Sequence, residues 1–161
     1  MIILGIDPGT ATTGYGVIRS EKGKIQAVGY GCILTKSSGG LENRLVTIFD
    51  ELTEIIKKFK PEMIAVEELF FASNAKTAIS VGHARGVILL ACSKAKIPVY
   101  EYTPLQIKQA VCGYGRADKQ QIQKMVKALL NLEKIPKPDD AADGLAIAIC
   151  HTNSYRDFEK K

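Results

Sequence analysis

Carboxylates are the side chains of this sequence best placed to do chemistry. Asp7 closes the apolar run Ile2-Ile3-Leu4-Gly5-Ile6 and opens Asp7-Pro8-Gly9-Thr10. Glu67 and Glu68 close a second apolar run, and Asp139, Asp140 and Asp143 gather late in the chain. Asp140 and Asp143 are three residues apart, so on a helix they share a face. A helix start also favours ionised carboxylates. Asp7 and Glu67 end strands, and α/β sheets gather ligands at the carboxyl ends of their strands. Carboxylates brought together repel one another, so such a set persists where a cation sits among them. Oxygen donors without His or Cys select Mg²⁺ or Mn²⁺. Two such ions can clamp the attacking water and the leaving oxygen of a phosphodiester. The competing readings are ordinary: a turn aspartate, a helix cap, glutamates facing water. Spacing alone does not choose between Glu67 and Glu68, or between Asp139 and Asp140.

The elements that must position these acids can be read from apolar periodicity. Residues 2–7 read as a buried strand, and 14–19 and 25–34 as two more, joined by a turn near Glu21-Lys22-Gly23. Short connections make these three an antiparallel meander. Leu41, Leu45, Ile48, Leu52, Ile55, Ile56 and Phe59 recur at helical spacing, in a helix that must end before Pro61. A strand over 62–67, a helix near 74–94 and a strand from Pro98 to Glu101 follow. In the second helix Ala78, Gly82 and Gly86 make one face very small; it suits close approach to a second subunit or packing on the chain's own sheet. Thr103-Pro104-Leu105-Gln106 has the form of a capping box with proline at the first helical position. Asp118-Lys119-Gln120-Gln121 opens another helix, and the last starts near Asp139. The expected fold class is α/β: a mixed five-stranded sheet, its first three strands antiparallel, with helices on both faces. Residues 1–155 are expected as one domain and 156–161 as a loose polar tail. His83 and His151 read as structural, His151 near a helix C-terminus whose dipole suits a partial positive charge.

Bulk properties are consistent with this chemistry. The chain has 161 residues, 46% apolar and 24% charged, the mix of a soluble globular domain. No apolar run approaches the roughly 20 residues of a membrane span. The start lacks a basic leader and small-residue cleavage site, so a cytoplasmic location and no membrane are expected. Four cysteines without CxxC pairing predict free thiols. The net charge is +5, and setting four of the 17 acids aside leaves 22 basic residues facing 13. An acidic hole in a basic surface suits an enzyme that holds a polyanion and coordinates metal. Gly113-Tyr114-Gly115-Arg116 is a flexible, basic, aromatic loop suited to a nucleic-acid backbone. Phe70-Phe71, just after Glu67, offers rings for stacking on unpaired bases.

Six segments, in order, resemble the RuvC family of bacterial Holliday junction resolvases: Gly5-Ile6-Asp7-Pro8-Gly9-Thr10, Thr13-Gly14-Tyr15-Gly16, Ala65-Val66-Glu67-Glu68-Leu69-Phe70, His83-Ala84-Arg85-Gly86, Ile107-Lys108-Gln109 and Asp140-Ala141-Ala142-Asp143. The resemblance runs from about residue 2 to about 152. It implies a ribonuclease H-like fold and a homodimer that makes paired, metal-dependent cuts across four-way junction DNA in recombination and repair. Its catalytic and metal-binding acids fall on Asp7, Glu67, Asp140 and Asp143, which selects Glu67 over Glu68 and Asp140 over Asp139. Two Mg²⁺ per site are implied, with Mn²⁺ as substitute. Lys108 and Lys119 resemble basic residues near the scissile phosphate, and Phe70 the stacking aromatic; Arg116 joins them as a DNA-binding candidate. A branch-migration complex is an implied partner. One site on each subunit of a two-fold dimer matches a two-fold symmetric junction. Two alternatives remain: a related nuclease acting on RNA, and a phosphate-binding domain of the actin-like superfamily, whose first phosphate loop Asp7-Pro8-Gly9-Thr10 also resembles. The latter needs two lobes, and 161 residues supply one.

Overall fold

The structure, a computed structural model, describes residues 1–68 and 75–159, without the side chains of 75–77 and 156–159. Three strands, β1 (Ile2–Asp7), β2 (Thr12–Glu21) and β3 (Lys24–Leu34), form the antiparallel meander. β2 and β3 are longer than their apolar cores because pairing continues to a two-residue turn. There Lys22 and Gly23 both take positive φ, as a tight hairpin turn requires. Two further strands, β4 (Met63–Glu67) and β5 (Val99–Tyr102), join in parallel, giving the order β3-β2-β1-β4-β5.

Five helices cover the sheet: α1 (Leu41–Phe59), α2 (Ala75–Lys94), α3 (Pro104–Cys112), α4 (Lys119–Leu129) and α5 (Asp139–Glu159). α1 stops at the left-handed Lys60, one residue before Pro61. α3 and α4 each begin with a reciprocal capping box, Thr103 with Gln106 and Asp118 with Gln121. Burial follows the strand alternation. Ile3, Ile18 and Ala65 meet α3, α4 and α5 on one face, while Leu4, Ile6, Val17, Ile64 and Val66 meet α1 and α2 on the other. Helices therefore lie on both faces, as the order of the elements predicts.

One packing feature controls the rest. A Cβ on Gly5 would overlap the Gly144 carbonyl, and one on Gly14 the Asp140 carbonyl. Gly16 lies as tightly against the backbone of Leu145. The first half of α5 thus rests directly on β1 and β2 with no side chain between. Its second half departs from the sequence reading. α5 continues through Glu159, so Arg156–Glu159 are helical rather than loose, because Tyr155 meets Tyr100 edge-on and extends the packed face. His151 consequently sits in mid-helix, fully buried, and not at a C-terminus. Burial pushes its imidazole down to about 4, so it is neutral and the dipole reading is corrected. Its Nδ1 lies 2.7 Å from the Tyr102 hydroxyl.

Candidate active site

β1 delivers Asp7 to the carboxyl edge of the sheet. On β2 its partner is Gly14, the residue on which the backbone of Asp140 rests. That close approach sets the start of α5 beside the end of β1. One carboxylate oxygen from each of Asp7, Asp140 and Asp143 comes within 4.8 Å of the other two. Glu67 lies outside this trio, but it ends β4, parallel and adjacent to β1, and shares a hydrogen bond with Asp7. All four predicted acids therefore meet, three in mutual range and the fourth through Asp7. Asp143 starts the second turn of α5 rather than lying in the first. Asp139 turns away to an exposed pair with Lys137 at 2.6 Å. Glu67, and not Glu68, lines the cavity at this edge.

The electrostatics are those of a site short of positive charge. Burial, then the charges of Glu67 and Asp143, hold the Asp7 carboxyl well above its ordinary range. Burial also raises Glu67, while the Asp7 hydrogen bond and Lys108 pull it back. Asp143 is raised by burial against the opposing pull of Lys119. A proton on Asp7, donated to Glu67, relieves the repulsion, and a divalent cation can take that proton's place. The donors are all carboxylate oxygens. Nearby Cys32, pushed up to about 11 by burial and then by Asp140, stays a neutral thiol. The donor set therefore fits a hard divalent ion.

A cavity of about 220 Å³ adjoins the acids, lined by Asp7, Glu67, Asp143, Lys108, Lys119 and apolar residues of α3 and α4. Lys119 is the first residue of α4 and half exposed, yet its ammonium reaches Asp143 at 3.2 Å. Burial works against its charge, but Asp143 raises its pKa, so it stays cationic. Arg116 is exposed in the α3–α4 connection and does not line the cavity. Phe70 and Phe71 lie outside the described residues. His83 is exposed on α2, not in the core.

Periodicity missed two features of the site. The first is the glycine seat under α5, visible in the sequence only as Gly14-Tyr15-Gly16. The second is a polar network fixing the turn after Asp7. Thr13 Oγ1 donates to the Gly9 carbonyl at 2.7 Å, and Thr35 Oγ1 to the Thr10 carbonyl at 2.6 Å. Arg44 Nε donates to Thr35 Oγ1 at 2.8 Å, and Thr10 Oγ1 donates to the Ser80 carbonyl of α2 at 2.8 Å. Nothing in the spacing of these residues announces the network, because its members come from four separate segments.

The family model for Crossover junction endodeoxyribonuclease RuvC matches residues 3–151. A relative of that description from Ruminiclostridium cellulolyticum is 57% identical over 156 residues, 97% of this chain and 94% of the relative. Another, from Rubrobacter xylanophilus, is 59% identical over 155 residues, covering 96% and 87%. The Thermus thermophilus RuvC structure matches with a TM-score of 0.90 at 37% identity, over 98% of this chain and 97% of that one. T. thermophilus RuvC in complex with Holliday junction substrate matches at 0.88 and 35%, over 97% and 96%. A fold with this strand order, carrying these acids at its carboxyl edge and this likeness over nearly its whole length, belongs to the RuvC family of crossover junction endodeoxyribonucleases.

Proposed function

We propose that this chain is a Mg²⁺-dependent endonuclease that resolves Holliday junctions by paired, symmetric phosphodiester hydrolysis in recombination and DNA repair. The observation that carries this reading is the meeting of Asp7, Asp140 and Asp143 within 4.8 Å, with Glu67 bonded to Asp7 and two lysines alongside. These four acids would hold the metal, two Mg²⁺ per site with Mn²⁺ as substitute. Bound there, it supplies Lewis-acid stabilisation of the phosphodiester and an activated water. Lys108 and Lys119 neutralise charge on the scissile phosphate. Phe70 stacks on bases unpaired at the crossover, and Arg116 reaches the backbone beyond the cavity. Residues 1–155 act as one nuclease domain, in the cytoplasm and with a branch-migration complex as partner. Among the described residues no helix is long and apolar enough to cross a membrane.

The homodimer is built on the outer face of α2. Ile79 is 63% exposed and Leu90 54%, with exposed His83 and Gly86 between them at helical spacing. A Cβ on Gly86 would meet nothing, so part of the small-residue ridge faces away from the chain's own sheet. An apolar, partly small helix face of this kind suits self-pairing about a two-fold axis.

The test is junction nicking by wild type and Asp7→Asn with and without Mg²⁺. Second-sphere losses at metal sites already cost about 10–100-fold, so losing a ligand should cost more than about 100-fold while junction binding survives. Cleavage by the variant at the wild-type rate would sink the metal-site assignment. Preference for structured RNA over a four-way DNA junction would move the substrate to RNA.

A further inference from the structure

A second polar depression lies on the carboxyl edge of the sheet, away from the cavity that holds Lys108 and Lys119. β1 and β3 both run antiparallel to β2, so they point the same way and end on the same edge. Past the end of β3, before and along the start of α1, a groove of about 410 Å³ is lined by Lys36, Ser38, Asn43, Arg44, Thr47 and Glu51, with Leu34 at the strand end. Lys36 is exposed and Arg44 partly so. Among the described residues neither is ion-paired. Glu51, the one carboxylate of the lining, stands seven residues beyond Arg44 on α1.

Arg44 is held in place. Its Nε donates to Thr35 Oγ1, which donates to the carbonyl of Thr10. The Thr35 amide is in turn bonded to the Ala11 carbonyl at 3.1 Å. The guanidinium is thus tied through one hydroxyl to the turn that follows Asp7, and among the described residues its other N–H groups make no hydrogen bond. An arginine steadied in this way presents a fork suited to phosphate oxygens.

We infer that this Lys36–Arg44 groove is a second phosphate site, holding the backbone of the cut DNA strand one or two nucleotides from the scissile bond. Thr10 stands three residues beyond Asp7, so their Cα atoms lie within about 11 Å. Successive phosphates of one strand stand roughly 6–7 Å apart, about twice the axial rise, so that gap spans about one or two nucleotides. The sheet gives the direction. Lys108 faces Glu67 at the end of β4, on one side of Asp7. The groove lies at β3, two strands to the other side, about 10 Å away at ordinary strand spacing. A strand drawn across the carboxylates therefore meets cations on both flanks. Held at two points, it cannot pivot about the scissile phosphate.

This inference rests on the junction-nuclease reading, and its test separates the two. Binding of full-length protein to a synthetic four-way DNA junction is measured in EDTA across a salt series. Wild type is compared with Lys36→Gln, Arg44→Gln, the double variant and Arg44→Lys. Each Gln variant should lower the slope of log affinity against log salt by about one, and Arg44→Lys should keep it. Lys36→Gln removes no hydrogen bond seen in the structure, so it stays informative if Arg44→Gln disturbs the turn. A single uncharged methylphosphonate about one or two nucleotides from the cut should weaken wild-type binding several-fold and add nothing in the double variant. Unchanged slopes in both Gln variants, or the same methylphosphonate penalty in wild type and double variant, would overturn the groove. Failure of wild type itself to bind the junction would instead overturn the nuclease reading.

Discussion

Asp7 is the residue on which the competing forces are clearest. It sits partly buried among three other acids, and its raised pKa records what that costs the fold without metal. Asp7→Asn replaces a carboxyl that must take up a proton in the metal-free fold by a neutral side chain that can still donate to Glu67. In EDTA the variant should therefore melt higher than wild type, by about 3 °C for about 1 kcal/mol of protonation cost removed. Mg²⁺ should raise the wild-type melting temperature and leave the variant nearly unmoved. Thermal scans with and without Mg²⁺ check both; a variant less stable than wild type in EDTA would contradict the account. The same residue scale shows where the sequence stopped being readable. Apolar periodicity locates the end of a strand or the start of a helix, but not which of two adjacent acids turns inward. Glu67 rather than Glu68, and Asp140 rather than Asp139, was selected by resemblance. In the structure the choice follows from the register of β4 beside β1 and from the seating of α5 on Gly14.

Among the elements, α5 does most to build the site. Gly14→Ala would drive a methyl group into the Asp140 carbonyl and lift the helix start that carries two acids. Overpacking of this kind costs about 1–3 kcal/mol. The variant should melt several degrees lower and lose more cleavage activity than its lowered stability explains. The far half of α5 has its own signature. His151 titrates at about 4 in the fold against an ordinary 6.5, so the unfolded chain holds the extra proton between those values. Stability from this group is complete above about pH 6.5 and falls as pH drops toward about 4, by about 3 kcal/mol. Urea unfolding of wild type and His151→Gln across pH 4–7 isolates it: the wild type should lose stability in that window faster than the variant. Helix starts at Pro104 and Lys119 were legible because capping chemistry is local. The end of α5 was not, because Tyr155 is held by Tyr100 on β5, a contact no local pattern contains.

For the whole molecule, element order was enough to read the sheet, since short links force antiparallel neighbours and helical crossovers allow parallel ones. Subunit pairing is a different problem. The α2 stripe of Ile79, His83, Gly86 and Leu90 looks in sequence like any amphipathic face, and only its exposure marks it as unpartnered. Ile79→Asp combined with Leu90→Asp should give a monomer in sedimentation. That monomer should keep metal-dependent nicking but lose the pairing of the two cuts on one junction. A double variant that remains dimeric would move the interface elsewhere. The direct seating of α5 on the first two strands also has a consequence in time. Asp7 is made well before Asp143, which lies 136 residues further along the sequence. Synthesis that stops early leaves a product without its last ligands, with the glycine-lined strands uncovered. Such a fragment cannot assemble the acidic cluster.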